Sequence, residues 1–410
     1  MAIHEFYSGE GAQSRKSPEF HYQEETLALV KQPHKLFIGI PVEQNNNENR
    51  IALVPNSVKS LTGQGHRIVV ESGAGLKSNF TDQDFSEAGA EIVFSTEEVY
   101  KAQIILKTSP PKEEESEYFH PGQIIISPLQ IPIITESFIQ KLKNKRVIAI
   151  AMEYLQADDG SYPVVRIMSE LAGYSAIHTA AELLSNTGGG RGVLLGGIAG
   201  VPPAKVVILG AGVVGEFATK AALALGASVR IFDDNVYKLM RLQNHVGHAL
   251  HTSSINPVYL GYQLLSADVV IGAIHSGSGR TPMVVTEEMV AKMKSGSVII
   301  DVSIDQGGCF ETSEITTLEK PTFVKYGVIH YCVPNIASKV ARTASVAISN
   351  ILTPLLLKVG LSMSIEHLLY NHYGLRHGVY LYKGCLTNQY LSNRFNINYT
   401  SLDLLLPSSL

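Results

Sequence analysis

Tryptophan is absent from these 410 residues, and cysteine occurs three times, at Cys309, Cys332 and Cys385. Three thiols so far apart form no disulfide framework and show no zinc-type spacing, so a reducing compartment is expected and no metal. No stretch approaches the roughly 18 apolar residues that span a bilayer. The N-terminal segment, MAIHEFYSGEGAQSRKS, lacks the apolar core of a secretory signal. A cytoplasmic protein that crosses no membrane is therefore expected. Neither charge dominates: 33 Lys and Arg oppose 37 Asp and Glu, for a net charge of −4. Without a basic excess, nucleic acid is not an expected partner.

What is present is a chain long enough for about two domains. Residues 1–34 are polar and mixed in charge, and read as an extension with one short helix around Glu24–Lys31. From Lys35 onward, short apolar runs alternate with helix-period segments. That alternation implies parallel βαβ units. Residues 35–163 form one α/β unit without a glycine fingerprint. A helical stretch begins near Pro163, and a second α/β unit spans residues 164–341. A long apolar helix starting at Ala341 returns the chain to the first unit, which residues 342–410 complete.

The second unit is organised around the stretch from Lys205 to Asp234. The run Val206-Val207-Ile208-Leu209 leads into Gly210, Gly212 and Gly215, then an alanine-rich helix, then Ser228–Phe232 ending at Asp233. This is the G-x-G-x-x-G fingerprint in its strand–turn–helix–strand setting. Gly210 permits the tight turn, Gly212 lets a pyrophosphate approach the backbone, and Gly215 lets helix and strand pack closely. The helix N-terminus at Val213 and Val214 offers free N–H groups and a positive dipole end to phosphate. Asp233 is placed to bind the ribose 2′-hydroxyl, with Asp234 as a neighbouring candidate. A carboxylate there repels a 2′-phosphate, so NAD is expected over NADP.

Further motifs resemble a known family. Asn46-Asn47-Glu48-Asn49-Arg50-Ile51-Ala52-Leu53-Val54-Pro55 is similar to the N-terminal signature of alanine dehydrogenases and of the nicotinamide-nucleotide transhydrogenase alpha subunit. Gly188–Gly192 with Gly196-Gly197 and Val201-Pro202-Pro203, and the loop Asp305–Glu311, look like alanine dehydrogenase. The resemblance runs from about Leu36 to the end. It implies two Rossmann-like doubly wound domains with the active-site cleft between them, the substrate domain being discontinuous. It also implies reversible NAD-dependent deamination of L-alanine to pyruvate and ammonium, and a homo-oligomer, usually a hexamer.

Carried over residue by residue, the family's carboxylate-clamping arginine corresponds to Arg50, whose planar fork suits a carboxylate. Its aspartate near the reacting amine corresponds to Asp305. Ser169, Lys238, Ile274 and Asn335 correspond to cofactor-contacting positions. The family's lysine, which holds the keto oxygen, corresponds to Ser109. Its histidine acid/base corresponds to Gln130. Serine supplies no cation, and glutamine carries no proton near neutral pH. Lys107 lies two residues before Ser109, on the same side of a strand.

Each residue also has a plainer reading. Arg50 could be a surface or hinge ion pair with Glu48, Asp305 a turn cap, Gln130 a structural amide, and Lys107 a solvated strand residue. His251, His275 and His330 are read as structural. Three functions follow: an amino-acid dehydrogenase acting on alanine or a related 2-amino acid, a non-catalytic NAD(H)-binding relative, and a transhydrogenase-like nucleotide domain. The first is adopted.

Overall fold

The computed structural model describes residues 35–131, 133–276, 279–361 and 365–406. The expected helix around Glu24–Lys31 lies outside the described residues.

Apolar, β-branched runs give six short strands in the first third of the chain: β1 Phe37–Ile40, β2 Arg67–Glu71, β3 Glu91–Val93, β4 Ile104–Leu106, β5 Ile124–Ser127 and β6 Ile148–Ala151. All six pair in parallel. Strands β4, β5 and β6 are buried along their whole length, as expected for strands covered on both faces. The next seven are β7 Lys205–Leu209, β8 Ser228–Phe232, β9 His251–Ser253, β10 Val269–Gly272, β11 Val298–Asp301, β12 Thr322–Lys325 and β13 Val328–Tyr331. They form a second sheet, in the order β12-β13-β11-β10-β7-β8-β9, parallel except for β12. The last strands, β14 Val379–Tyr382 and β15 Cys385–Leu386, return to the first sheet and extend it antiparallel to β6. That sheet runs β15-β14-β6-β5-β4-β1-β2-β3.

The fold is therefore α/β with two flanked sheets, and the first sheet is built from both ends of the described chain. Strands β9, β12, β14 and β15 went unread in the sequence. They are short, sit at or near sheet edges, and are partly polar or aromatic, so they carry little apolar signal.

Two long helices connect the lobes, and a third lies within the second lobe. Helix α1, Pro163–Leu184, starts on a proline that presets its first turn and leads out of the first lobe. Helix α2, Val213–Ala224, follows the glycine loop. Helix α3, Ala341–Leu361, is long and apolar enough to cross a bilayer by length and composition, against the expectation that no stretch approaches that size. Its packing is that of a core helix. Ile348, Leu352 and Leu356 lie in the first lobe's core. Ser345 and Ser349 accept the N–H groups of Ile51 and Val54, at 2.9 and 3.1 Å.

Each sheet has one point where the strand order reverses, and open α/β sheets bind ligands at the carboxyl ends beside it. In the first sheet that point lies between β1 and β4, and in the second between β7 and β10.

Candidate active site

At the switch point of the second sheet, the glycine loop leaves β7. Gly210 has φ +108°, and a Cβ there would meet the Ala273 carbonyl oxygen at 2.4 Å. A Cβ on Gly215 would lie 1.9 Å from the Gly210 oxygen. Neither position tolerates another residue. A Cβ on Gly212 would meet nothing within 4 Å, so the backbone there is open to an approaching group. Asp233 ends β8 and is buried. It accepts the Ala211 N–H at 2.8 Å and the Asn235 N–H at 2.8 Å, which fixes its carboxylate beside the loop. Val213 and Val214 form the first turn of α2. This cradle, with its bare backbone, its helix N-terminus and its acid, fits the ribose and pyrophosphate of a dinucleotide.

The loop after β10 forms the other wall. The Ile274 N–H donates to Ser303 Oγ at 3.0 Å, and the Ser276 N–H to Gln306 Oε1 at 3.0 Å. Lys238 is exposed on the helix after β8, and Ser169 is half-buried on α1. The histidine ring of His275 is held below its ordinary pKa, by burial first and then by Lys238. Burial lowers His330 in the same way; it lies inside β13, hydrogen-bonded to Thr312 at 2.8 Å.

Asp305 lies on the turn after β11. It caps nothing: Asp301 caps that turn, accepting the Ser303 N–H at 3.0 Å. Asp305 instead accepts the Asn335 N–H at 3.1 Å. Asp305 is exposed to solvent, although protein packs closely around its carboxyl. Its pKa is pushed up to about 6, by burial first and by Asp301, against the Asn335 N–H and Arg50.

Arg50 is buried, and its pair with Glu48 is an inward-facing one, not a surface contact. Nε donates to Glu48 Oε1 at 2.7 Å and Nη2 to Glu48 Oε2 at 2.5 Å. Nη2 also reaches the Thr108 carbonyl at 3.3 Å. Nη1 faces the Met168 sulfur at 3.1 Å, a weak acceptor that leaves donor capacity for a carboxylate. Burial opposes the charge, but Glu48, Glu43 and Asp305 outweigh it and hold Arg50 protonated. Arg50 and Asp305, from different lobes, are thus linked through Glu48 and Asn335, whose side-chain amide donates to Glu48 and whose N–H donates to Asp305.

Lys107 is not solvated. It is 1 % exposed at the end of β4, with its ammonium 3.2 Å from Glu43 and 3.0 Å from Glu115. Burial works against that charge, but Glu43 and then Glu115 raise its pKa. Tyr100 donates to Glu115 at 2.8 Å, and the Lys112 N–H donates at 2.6 Å. Glu43 also accepts the Thr108 N–H at 2.5 Å and the Ser109 hydroxyl. Ser109 therefore gives its proton to a carboxylate, and its lone pairs are what remain for a ligand.

Gln130 follows β5 in a left-handed conformation, φ +48°. Beneath it, Glu153 Oε1 accepts the N–H groups of Leu129 and Gln130 at 2.8 and 3.1 Å. Glu153 Oε2 is buried with no hydrogen-bond partner, and burial raises the pKa of its carboxyl. Glu43, Glu115 and Glu153 were missed in the sequence. A signal existed for the first two, since a lysine closing the apolar run Ile104-Ile105-Leu106 calls for buried carboxylate partners.

Two family models match nearly all of this architecture: "Alanine dehydrogenase/PNT, N-terminal domain" over residues 39–172, and the corresponding C-terminal domain over residues 176–389. The chain belongs to the alanine dehydrogenase/PNT family. It is 41 % identical over 367 residues to alanine dehydrogenase 2 of Staphylococcus aureus strain USA300, covering 89 % of this chain and 98 % of that one. Among solved structures it resembles an L-alanine dehydrogenase, with TM-score 0.82 and 35 % identity over 88 % of this chain and 99 % of the other. It also resembles a transhydrogenase from Sinorhizobium meliloti, with TM-score 0.73 and 27 % identity over 86 % and 99 %. Family membership makes this chain a relative of oxidoreductases with a nucleotide-binding lobe and a small-molecule substrate.

Proposed function

We propose that this chain is an NAD-dependent dehydrogenase that oxidatively deaminates L-alanine or a related 2-amino acid to the 2-oxo acid and ammonium. The observation that carries this reading is that Asn335 joins Asp305 to Glu48, the ion-pair partner of Arg50, so that the two lobes bring a guanidinium and a carboxyl with pKa about 6 to one place. When bound, NAD supplies the hydride acceptor. Gly210, Gly212, Gly215 and the first turn at Val213 and Val214 hold its pyrophosphate, and Asp233 its ribose. Ile274, Lys238, Ser169 and Asn335 complete that wall. Arg50 Nη1 takes the substrate carboxylate. Asp305, ionised above about pH 6, accepts a proton from the substrate ammonium and passes it to solvent; it then takes one from the attacking water and returns it to the departing amine. Lys107 stays charged behind Glu43 and steadies the Ser109 hydroxyl. Gln130 hydrogen-bonds the substrate oxygen without moving a proton.

The same reading carries a cytoplasmic homo-oligomer, which sedimentation would test. Spectrophotometric assay of NADH formation with amino acids, and of NADH loss with 2-oxo acids plus ammonium, tests the reaction. Turnover with no member of either panel would sink it. A second reading, NAD(H) binding without turnover, is favoured by one observation: the Ser109 proton is committed to Glu43. It requires NADH binding with a silent assay.

A further inference from the structure

The first lobe contains a cavity of about 660 Å³ at the carboxyl ends of β4 and β5. Every residue lining it belongs to that lobe, so the dinucleotide wall takes up none of it. Of its buried residues, Lys107, Ser109 and Glu115 contribute polar groups beside the switch point, while the exposed Gln44, Asn45, Asn46, Lys112 and Glu114 give it a polar rim. Leu129, Ile134, Phe138 and Tyr380, all buried, contribute apolar wall. The volume lies within the roughly 300–1,000 Å³ typical of small-molecule sites.

The cavity adjoins the carboxylate clamp. Arg50 Nη2 touches the Thr108 carbonyl at 3.3 Å, and the next residue, Ser109, lines the cavity. A carboxylate held on Arg50 thus sits one residue away from this space. Ser109 is also the position at which the resemblance places a lysine. A lysyl chain, four methylenes and an ammonium long, would take up part of the space that the serine leaves open. An alanine methyl would fill little of what remains.

We propose that this cavity is the subsite for the substrate side chain, and that the substrate is a 2-amino acid with an unbranched aliphatic side chain of several carbons. The inference rests on the dehydrogenase reading. Each methylene moved from water onto the apolar wall raises kcat/KM by about fourfold, the factor set by burying one CH₂.

The test is a kcat/KM series with NAD and the full chain, from L-alanine through L-2-aminobutyrate and L-norvaline to L-norleucine. The value is expected to rise at each step, by more than tenfold overall. Ile133 is 65 % exposed and lines the cavity, so a larger ring there fills the cavity without disturbing the core. Ile133→Trp is expected to lower the norleucine-to-alanine ratio at least tenfold. A wild-type series that is flat or falls with length overturns the inference and leaves the dehydrogenase reading standing. A rising series with a ratio unmoved by Ile133→Trp overturns the assignment to this cavity. Turnover with neither these four nor any other amino acid removes both readings together.

Discussion

The Asn335 side-chain amide donates to the Glu48 carboxylate at 2.9 Å, while its backbone N–H donates to Asp305 at 3.1 Å. One residue thus ties Glu48, the partner of Arg50, to the candidate base Asp305. The Asn335 backbone is left-handed, at φ +59°, a conformation that asparagine tolerates and most side chains do not. Three substitutions separate these contributions. Asn335→Gly loses a hydrogen bond to a charged group, worth about 1.5–3 kcal/mol. Asn335→Ala loses the same bond and adds strain of roughly 1–2 kcal/mol. Asn335→Asp sets a second carboxylate against Glu48 and is expected to be the least stable. Urea denaturation gives the ranking, and an aspartate variant as stable as wild type would contradict the contact.

Lys107 neutralises two buried carboxylates at once. Lys107→Met leaves Glu43 and Glu115 facing each other without a cation, and breaking a buried pair in this way costs about 3–5 kcal/mol. The triple variant Lys107→Met, Glu43→Gln, Glu115→Gln removes the stranded charges and is expected to recover part of the loss. If the single variant unfolds at the wild-type urea concentration, the cluster contributes nothing to stability.

Asp305 gives a pH dependence with a definite sign. A base must be ionised, so kcat/KM for the amino acid is expected to rise as pH increases through about 6 and then level off, as far as this group controls it. Asp305→Asn keeps an oxygen for the Asn335 N–H but takes up no proton. Its kcat is expected to fall by about 10²–10⁴, with NADH affinity retained. Folding is linked to the same titration. The carboxyl has a higher pKa folded than the ordinary value near 3.9, so its stabilising contribution is complete below about pH 4 and is lost as pH rises through about 6. The asparagine variant should lack that decline in urea titrations across the window.

The glycine loop was legible because backbone sterics dictate it. Gly210 and Gly215 leave no room for a Cβ, and the βαβ frame around them has a period that sequence carries openly. The alternating strands of the first lobe were legible for the same reason. Lys107 was misjudged because its partners come from other segments: Glu43 is 64 positions away, and Tyr100 supports Glu115 from a separate turn. A sequence shows a charge but not the countercharge that folding brings to it. The last two strands were missed because β14 gains its strand character by docking on β6, and β15 by docking on β14, not from their own periodicity. Arg50 lay between, since its pairing with Glu48 was weighed only as a surface or hinge contact, and its burial against Thr108 and Met168 was not read at all.

Glu153 offers the sharpest separation of structure from chemistry. Its Oε1 gathers two consecutive N–H groups, and that grip accompanies the left-handed turn at Gln130. Its Oε2 is buried without a partner, a costly arrangement for a charged oxygen and a tolerable one for a protonated carboxyl. Burial raises the folded pKa, so the stabilising contribution of this group is complete below the ordinary glutamate value near 4.3 and declines as pH rises above it. Glu153→Gln does not titrate. Relative to wild type it is expected to gain stability as pH rises above about 4.3, whatever its absolute value, and a gap that stays constant from about pH 3 upward would refute the assignment. Glu153→Ala strands the N–H groups of Leu129 and Gln130 and lets the turn relax. If the turn aims Gln130 at the substrate, this variant loses kcat while its NADH affinity, read by fluorescence, stays at the wild-type level, and the glutamine variant, which keeps the acceptor oxygen, restores most of the rate.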